Sequence, residues 1–383
     1  MLFPVEKLRA IPTPFYFYDV ELFRRTAQVA LSEAQKYGYI IHYALKANAH
    51  EKLLRLLSGM GFGADCVSGA EVQRAIDCGF SPQSIAFAGV GKRDDEICLG
   101  IDNRIFSFNC ESEQELEVVN ELAKGKGAVA QVALRINPNV DAHTHAHITT
   151  GLDENKFGIN LWQLNEVAKK VKQMSNLKLI CIHFHIGSQL TAFEPFVELC
   201  AKINELQEQL ERIGVTVEHV NVGGGLGVDY EHPTENSIPE FATYFATINR
   251  HIRLRKGQKL HCELGRSIVA QCGSLITKCL YVKELQKKNF VIVDAGMTDL
   301  IRPALYSAYH KIENITPQHA NEKVYDVVGP ICESSDVFDK DVALPQTQRG
   351  DFIAIRTAGA YGAVMASRYN LRQLPKSYFS DEA

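Results

Sequence analysis

The sequence alternates between short apolar runs typical of β-strands and longer segments whose apolar residues recur at helical spacing. Between residues 39 and 264 the strand-like runs are YIIHYAL, FGADCV, SIAFAG, RIFSFN, AVAQVALRI, LKLICIHFHI, VTVEHVNV and KLHCEL, with a helical pattern in most gaps. Such repetition favours parallel strands joined by crossover helices. Eight units within roughly 240 residues predict an α/β fold, a closed (β/α)8 TIM-type barrel, rather than an open doubly wound sheet.

Beyond about residue 268 the pattern changes to strands alone. The runs VAQCGSLITKCLYVKEL, NFVIVDAG, KVYDVVGP and DFIAIRTAGAYG have no helical pattern between them, which predicts an all-β domain. We therefore expect a barrel over residues 22–267 and a β domain over residues 268–383. The N-terminal segment 1–21 is expected to join the β domain through PFYFYD. The final SYFSDEA is expected to be frayed.

Charge and composition exclude several classes of protein. The chain is 46% hydrophobic and 22% charged, which is typical of a folded globule. Its formal net charge of −4 offers no basic surface for nucleic acid, and no uncharged apolar run approaches the ~18 residues of a membrane span. Glu6, Lys7 and Arg9 interrupt the segment where a signal peptide needs an apolar core, so we expect a cytoplasmic protein. The ten cysteines form no CxxC motif, which favours free thiols in a reducing compartment.

Several residues that follow the predicted barrel strands can carry chemistry, and barrel active sites gather at these carboxyl ends. They are Lys46 in YALKAN, Asp65 in GADCV, His183, His185 and Ser188 in HFHIGSQ, Gly223–Gly225 in VGGGLG, and Glu263 and Arg266 in ELGRS. A desolvated lysine can attack a carbonyl, and glycines let backbone N–H groups close on a phosphate. With a flat imidazole and a carboxylate, this set fits pyridoxal 5′-phosphate, whose pyridine nitrogen needs an acidic partner.

The same residues could also have roles other than binding this cofactor. Lys46 could pair with a carboxylate, and Gly223–Gly225 could form a simple turn. The spacing of these glycines does not match GxGxxG, so no dinucleotide is expected. His183 and His185 lie two residues apart and could share a metal. Amidohydrolase-type barrels carry such a pair on the first strand, so no metal is expected. The cluster HTHAH at residues 143–147 is interpreted as loop histidines.

Seven motifs carry a resemblance to a known enzyme family. In order along nearly the whole chain, they are YALKAN, HFHIGSQ, VGGGLG, ELGRSIV, DAGMTDLIRPALY, CESSDVF and AGAYGAVMAS. They resemble the fold-type III pyridoxal-phosphate-dependent decarboxylases, which have an alanine-racemase-like barrel and a C-terminal β domain. Within that family the sequence is most similar to the diaminopimelate decarboxylases. It departs from the family pattern at Leu264, Ala363 and Arg368, and none of these changes removes a group that does chemistry.

The resemblance implies a role for each matching residue. Lys46 would be joined to the cofactor and Cys332 would protonate the substrate carbon, which makes these two the catalytic residues. Cofactor binding would fall to Lys46 and to residues of the strand ends and the β domain, namely Asp65, His185, Ser188, Gly223, Gly224, Gly225, Glu263, Gly265, Arg266 and Tyr361. Substrate binding would fall to Arg266, Arg302, Tyr306, Glu333 and Tyr361.

The resemblance also implies an activity and an assembly. The diaminopimelate branch decarboxylates the D-centre of meso-2,6-diaminopimelate to L-lysine and CO2, the last step of lysine biosynthesis. Arg302 beside Arg266 fits a substrate with an additional carboxylate. The alternatives are a carboxynorspermidine-type decarboxylase, an ornithine, lysine or arginine decarboxylase, or a non-catalytic cofactor-binding regulator. Family members place the CESSD segment in the neighbouring subunit's site, so a homodimer with shared active sites is expected, with an amino acid as its small-molecule substrate and neither nucleic acid nor membrane as partner.

Overall fold

The computed structural model describes residues 3–140 and 156–382, and it confirms the closed eight-stranded barrel. The barrel strands are parallel and neighbour one another in chain order. They are β2 (Ile40–Ala44), β3 (Gly63–Cys66), β4 (Ile85–Phe87), β5 (Ser107–Cys110), β6 (Ala130–Arg135), β7 (Leu177–His183), β8 (His219–Asn221) and β9 (Lys259–Leu264). The cluster at residues 143–147 lies outside the described residues.

Helices occupy the segments between the strands, as the apolar spacing predicts. They are α2 (Val20–Gln35), α3 (Glu51–Met60), α4 (Gly69–Asp77), α5 (Asp94–Asn103), α6 (Glu113–Gly125), α7 (Leu164–Val171), α8 (Glu194–Arg212) and α9 (Phe241–His251). Ser68 and Ser112 cap α4 and α6, because each hydroxyl accepts a hydrogen bond from a backbone N–H of the first turn. The ends of β3 and β5 are thereby followed by short, defined loops.

Three histidines fill part of the barrel interior and form a hydrogen-bonded chain. His42 donates from Nδ1 to the Ser84 carbonyl (3.1 Å), so its Nε2 accepts from His261 Nδ1 (2.8 Å). His261 Nε2 in turn accepts from His219 Nδ1 (2.8 Å), and Phe106 stacks on the His261 ring. These bonds satisfy both ring nitrogens of His42 and His261 in the neutral form, and burial lowers the pKa of all three histidines.

The remaining strands form a second, mostly antiparallel sheet. Its strands are β1 (Phe15–Tyr18), β10 (Gly273–Glu284), β11 (Asn289–Val293), β12 (Ile312–Asn314), β13 (Glu322–Val328), β14 (Val337–Pro345), β15 (Phe352–Ile355) and β16 (Lys376–Phe379). The order β12-β15-β10-β11-β13-β14 is extended by β1, which pairs with β10 and β16. The expectation of a frayed C-terminus was wrong for Lys376–Phe379, because β16 pairs in parallel with β1 and Tyr378 packs edge-on against Phe15. The short helices are α1 (Val5–Leu8), α10 (Arg266–Val269) and α11 (Arg302–Tyr306).

The chain divides into two compact units. A barrel unit comprises residues 27–227 and 240–265, and a β unit comprises residues 1–26, 228–239 and 266–383. The insertion 228–239 therefore groups with the β unit, although it lies between β8 and β9 in the sequence. All ten cysteines lie in the described residues and are free thiols. None of the helices in the described ranges is long and apolar enough to cross a membrane.

Candidate active site

Lys46 lies directly beyond a barrel strand, in a single 3-10 turn (Leu45–Ala47) that follows β2. Its Nζ is 3.3 Å from Oδ2 of Asp65 at the end of the adjacent strand β3, and its side chain keeps 38% exposure. Burial, together with the nearby charge of Glu263, raises the pKa of Asp65 to about 7, while Lys46 acts in the opposite direction. The amine is therefore held at the strand ends and is still accessible to a ligand.

Glu263 is fixed near the barrel axis by three side chains from other strands. Oε2 accepts a hydrogen bond from His183 Nε2 (2.9 Å), and Oε1 accepts from Asn221 (2.8 Å) and Asn109 (3.2 Å). Burial would raise the pKa of Glu263, but the His183 contact and the charge of Lys46 hold it below its ordinary value. A carboxylate has about four acceptor positions, so this ionised group can accept one more hydrogen bond.

His185 stands beside the triple-glycine turn and is a neutral ring. The Gly224 N–H donates to His185 Nδ1 (3.3 Å), which assigns the ring proton to Nε2. Burial, with the charges of Lys46 and Arg135, lowers the pKa of His185 well below its ordinary value. His183 and His185 thus bond different partners, and the described part of the chain holds no cluster of three or more His, Cys, Asp or Glu side chains able to bind a metal.

The Gly223–Gly225 turn needs glycine for two separate reasons. Gly223 and Gly225 have φ of +71° and +113°, in the region that side chains disfavour. A Cβ on Gly224 would collide with the Glu263 carbonyl oxygen. The loop that carries Ser188 runs beside this turn, because Leu190 N–H donates to the Gly225 carbonyl (2.8 Å).

These barrel-unit residues fit pyridoxal phosphate. Oδ1 of Asp65 is buried, and no described residue supplies it with a hydrogen-bond partner. No protein acceptor for the Gly225 N–H is found within residues 3–140 and 156–382, so this donor is available to a phosphate oxygen. Gly265 packs against Ala44 and Ala47, which places backbone rather than a side chain next to Lys46. An accessible amine, an ionised carboxylate, a flat neutral imidazole and amide donors are the groups that this cofactor requires.

Two buried arginines of the β unit converge on one tyrosine. Arg266 and Arg302 donate to the Tyr230 hydroxyl oxygen at 2.6 and 2.9 Å. The Arg266 guanidinium also lies 4.9 Å from the ring centre of Tyr361, a residue with φ of +56°. Tyr306 lies four residues after Arg302, one turn along α11, and is half-buried. The predicted substrate residues Arg266, Arg302, Tyr306 and Tyr361 thus all lie within the β unit.

The CESSD turn presents the other two predicted residues at the surface. Cys332 and Glu333 are both exposed. The turn is anchored by Asp336, whose carboxylate accepts from the N–H groups of Ile331 (2.7 Å) and Met297 (2.6 Å). Glu333 accepts a 2.6 Å hydrogen bond from the Tyr369 hydroxyl. The Cys332 thiol and the Glu333 carboxylate are therefore accessible from outside the turn, and Asp336 holds the backbone that carries them.

Sequence reasoning missed several residues of both units. Asn109 and Asn221 lie at strand ends and could have been found by surveying every predicted strand. Tyr230 follows the glycine turn, but no sequence motif predicts its contacts. The same is true of His310 and Tyr369. The three residues that depart from the family pattern keep ordinary positions in the structure. Leu264 is buried at the end of β9, Ala363 begins a 3-10 turn, and Arg368 is exposed.

The fold and these residues define a class of enzyme. Residues 22–270 match the family described as pyridoxal-dependent decarboxylase, pyridoxal binding domain. A barrel with a lysine, a glycine turn and an ionised glutamate at its strand ends is what such a domain requires. The protein is a pyridoxal-phosphate-dependent carboxy-lyase, as the motifs predict.

Full-length comparisons narrow the class. A diaminopimelate decarboxylase of Bacteroides thetaiotaomicron is 56% identical over 382 residues, which cover 100% of this chain and 99% of the relative. The crystal structure of the Helicobacter pylori diaminopimelate decarboxylase complexed with L-lysine is 42% identical with a TM-score of 0.92, covering 98% of this chain and 93% of that one. The M. jannaschii diaminopimelate decarboxylase in complex with L-lysine is 36% identical with a TM-score of 0.91, covering 99% and 90%. The chain belongs to the diaminopimelate decarboxylase family.

Proposed function

We propose that the protein decarboxylates meso-2,6-diaminopimelate at its D-centre to L-lysine and CO2, the last step of lysine biosynthesis. One observation carries this choice of substrate: two buried guanidinium groups, of Arg266 and Arg302, point at a single oxygen atom. Paired guanidiniums favour a carboxylate ligand. Ornithine and arginine carry no second carboxylate beyond the one that is lost, whereas diaminopimelate does. The L-lysine in two solved relatives agrees with this choice.

The barrel residues would hold the cofactor. Lys46 would carry it covalently, His185 would lie against its ring, and Glu263 would accept from its pyridine nitrogen. Ser188 and Gly223–Gly225 would bind the phosphate, while Asp65 and Gly265 would shape the surroundings of Lys46. When bound, pyridoxal phosphate supplies an electron sink for the pair left at the α-carbon as CO2 departs. Glu263 contributes by holding a fixed negative charge that needs no reorganisation during the reaction.

The β-unit residues would bind and protonate the substrate. Arg266, Arg302, Tyr306 and Tyr361 offer donors for substrate carboxylate, and Glu333 offers a carboxylate for the distant ammonium group. The Cys332 thiol would give its proton to the α-carbon that has lost CO2, and it would regain a proton from solvent. Its exposure supports this role, since a proton donor must reach both substrate and water.

We further propose a cytoplasmic homodimer in which each CESSD turn completes the active site of the partner subunit. The support is the exposure of Cys332 and Glu333 on a turn that Asp336 fixes firmly. The division into a barrel at 22–267 and a β domain at 268–383 with 1–21 likewise stays a prediction.

A substrate panel tests the proposed function. The protein with pyridoxal phosphate is incubated separately with meso-diaminopimelate, carboxynorspermidine, L-ornithine, L-lysine and L-arginine, and CO2 release is measured. We expect diaminopimelate to give by far the highest kcat/KM. Preference for carboxynorspermidine or a basic amino acid would overturn the proposal, and no release from any substrate would favour a non-catalytic regulator.

A further inference from the structure

Tyr230 joins two cations through one neutral oxygen. Its hydroxyl accepts from Arg266 Nη1 at 2.6 Å and from Arg302 Nη1 at 2.9 Å, and the Arg302 guanidinium also lies 5.1 Å from the centre of the Tyr230 ring. A phenol oxygen has two acceptor positions, so these two bonds use both of them. No motif or proposed role accounts for this tyrosine.

Arg302 is held on a second side by another neutral acceptor. His310 Nδ1 donates to the Arg356 carbonyl (2.8 Å), so its Nε2 carries no proton and accepts from Arg302 Nη1 (2.9 Å). The His310 ring also meets the Tyr230 ring edge-on, with centres 5.1 Å apart. Burial, with the charge of Arg302, lowers the pKa of His310 to about 3, so this acceptor stays neutral at physiological pH.

This arrangement orients Arg302 without neutralising it. Among the described residues, Arg302 forms no ion pair with an aspartate or glutamate, although it is buried. A buried guanidinium without an anionic partner is costly. The hydrogen of the Tyr230 hydroxyl also finds no acceptor among the residues that the structure describes. Arg302 is therefore oriented for an anion that the described residues of the β unit do not supply.

We propose that Tyr230 is a specificity-determining residue, whose hydroxyl bridges Arg266 and Arg302 into one site for the carboxylate that a diamino diacid carries far from the reacting carbon. The inference rests on the proposed function and deepens it. The bridge fixes the separation of two like charges that would otherwise repel. Both guanidinium groups can then donate to one carboxylate.

The consequence is a difference between ligands with and without that carboxylate. L-Lysine keeps the distant carboxylate of diaminopimelate, whereas 1,5-diaminopentane has the same chain and amines but no carboxylate. Removal of the Tyr230 hydroxyl should therefore weaken L-lysine binding and leave 1,5-diaminopentane binding nearly unchanged. A purely structural tyrosine would affect both ligands alike.

The test uses the holoenzyme and calorimetric titration with each ligand. We expect Tyr230→Phe to weaken L-lysine binding about tenfold, which is about 1.4 kcal/mol, with less than about a twofold change for 1,5-diaminopentane. KM for diaminopimelate should rise more than kcat falls. The matched control is Tyr281→Phe, which removes the same atom from an exposed tyrosine on β10. Equal loss for both ligands, or no loss for either, would overturn the inference.

Two further measurements keep the outcomes distinct. Tyr230→His, whose ring nitrogen can accept from one arginine as His310 does, should give intermediate L-lysine affinity; if Tyr230→Phe does not fold, the His variant replaces it in the same comparison. If the wild-type protein fails to release CO2 from diaminopimelate but Tyr230→Phe still changes the ratio of the two affinities, the proposed function fails and the carboxylate site stands. If the wild-type protein decarboxylates diaminopimelate but the ratio is unchanged, only this inference fails.

Discussion

Glu263 accepts a 2.9 Å hydrogen bond from His183 Nε2, and both side chains are buried inside the barrel. Asn221 and Asn109 bond the other oxygen, so all three side chains that are bonded to the carboxylate donate to it. Donors stabilise the ionised form, so Glu263 presents a permanent negative charge at the strand ends. That charge is what a protonated pyridine ring needs from its environment.

Glu263→Gln should keep the cofactor and lose most of the turnover. The amide removes the negative charge and presents an N–H2 group to one of the existing donors. We expect kcat to fall about 10²- to 10³-fold, the range seen when one preorganised electrostatic group is removed. Steady-state kinetics and the absorbance of the bound cofactor check this. The control is Glu121→Gln, an exposed position on α6. Wild-type kcat in Glu263→Gln would contradict the role of Glu263.

Lys46→Ala should abolish covalent attachment of the cofactor. The carboxylate of Asp65, 3.3 Å from Lys46 Nζ, cannot replace an amine as the attachment point. After borohydride reduction, mass spectrometry should find the wild-type peptide of Lys46 heavier by the cofactor and the variant protein unlabelled. Lys124→Ala, at an exposed site on α6, should label like the wild type. Labelling retained in Lys46→Ala would refute the assignment of Lys46.

The sequence was sufficient to predict the barrel and the residues at the ends of its strands. Eight alternating units are enough for the barrel, and topology then brings Lys46, Asp65 and Glu263 to the same end of parallel strands. The polar partners could not be predicted in this way. Tyr230 is 72 residues from Arg302, and Asn109 is 154 residues from Glu263. Contacts between residues so far apart in the sequence depend on tertiary packing, which local periodicity does not predict.

Tyr369→Phe should impair recognition of the substrate's distant amine. The Tyr369 hydroxyl donates a 2.6 Å hydrogen bond to Glu333, and this bond restricts an otherwise exposed carboxylate. We expect KM for diaminopimelate to rise roughly threefold to tenfold with a smaller change in kcat, the pattern of a lost binding contact. Tyr281→Phe serves as control. A change confined to kcat would argue against the positioning of Glu333.

The histidine chain His42–His261–His219 should make folding stability fall in mild acid. Each pKa is lowered from 6.5 in the folded state, so the unfolded chain binds more protons as the pH falls below 6.5. Asp65 acts in the opposite direction, since its folded pKa is raised. His42→Gln, which can donate to Ser84 and accept from His261, should therefore reduce the loss of unfolding free energy between about pH 7.5 and about pH 5.5 by roughly 1 kcal/mol. Urea unfolding at the two pH values measures the unfolding free energy, and His319→Gln, at an exposed position, is the control. Equal losses of unfolding free energy in the wild type and in His42→Gln would contradict the prediction.

Mixing two inactive variants should restore activity if the subunits share active sites. Lys46→Ala lacks the cofactor amine, and Cys332→Ala lacks the exposed thiol of the CESSD turn. In a randomly exchanged mixture half of the dimers are heterodimers, and each heterodimer contains one site with both residues intact. The mixture should therefore recover about a quarter of wild-type kcat, since closed two-fold symmetry pairs each turn with one partner site. Subunit exchange is checked with an affinity tag on the Lys46→Ala chain only, which should retain the untagged Cys332→Ala chain after mixing. If the two chains are retained together and activity does not return, Lys46 and Cys332 act within one subunit and the shared site is wrong.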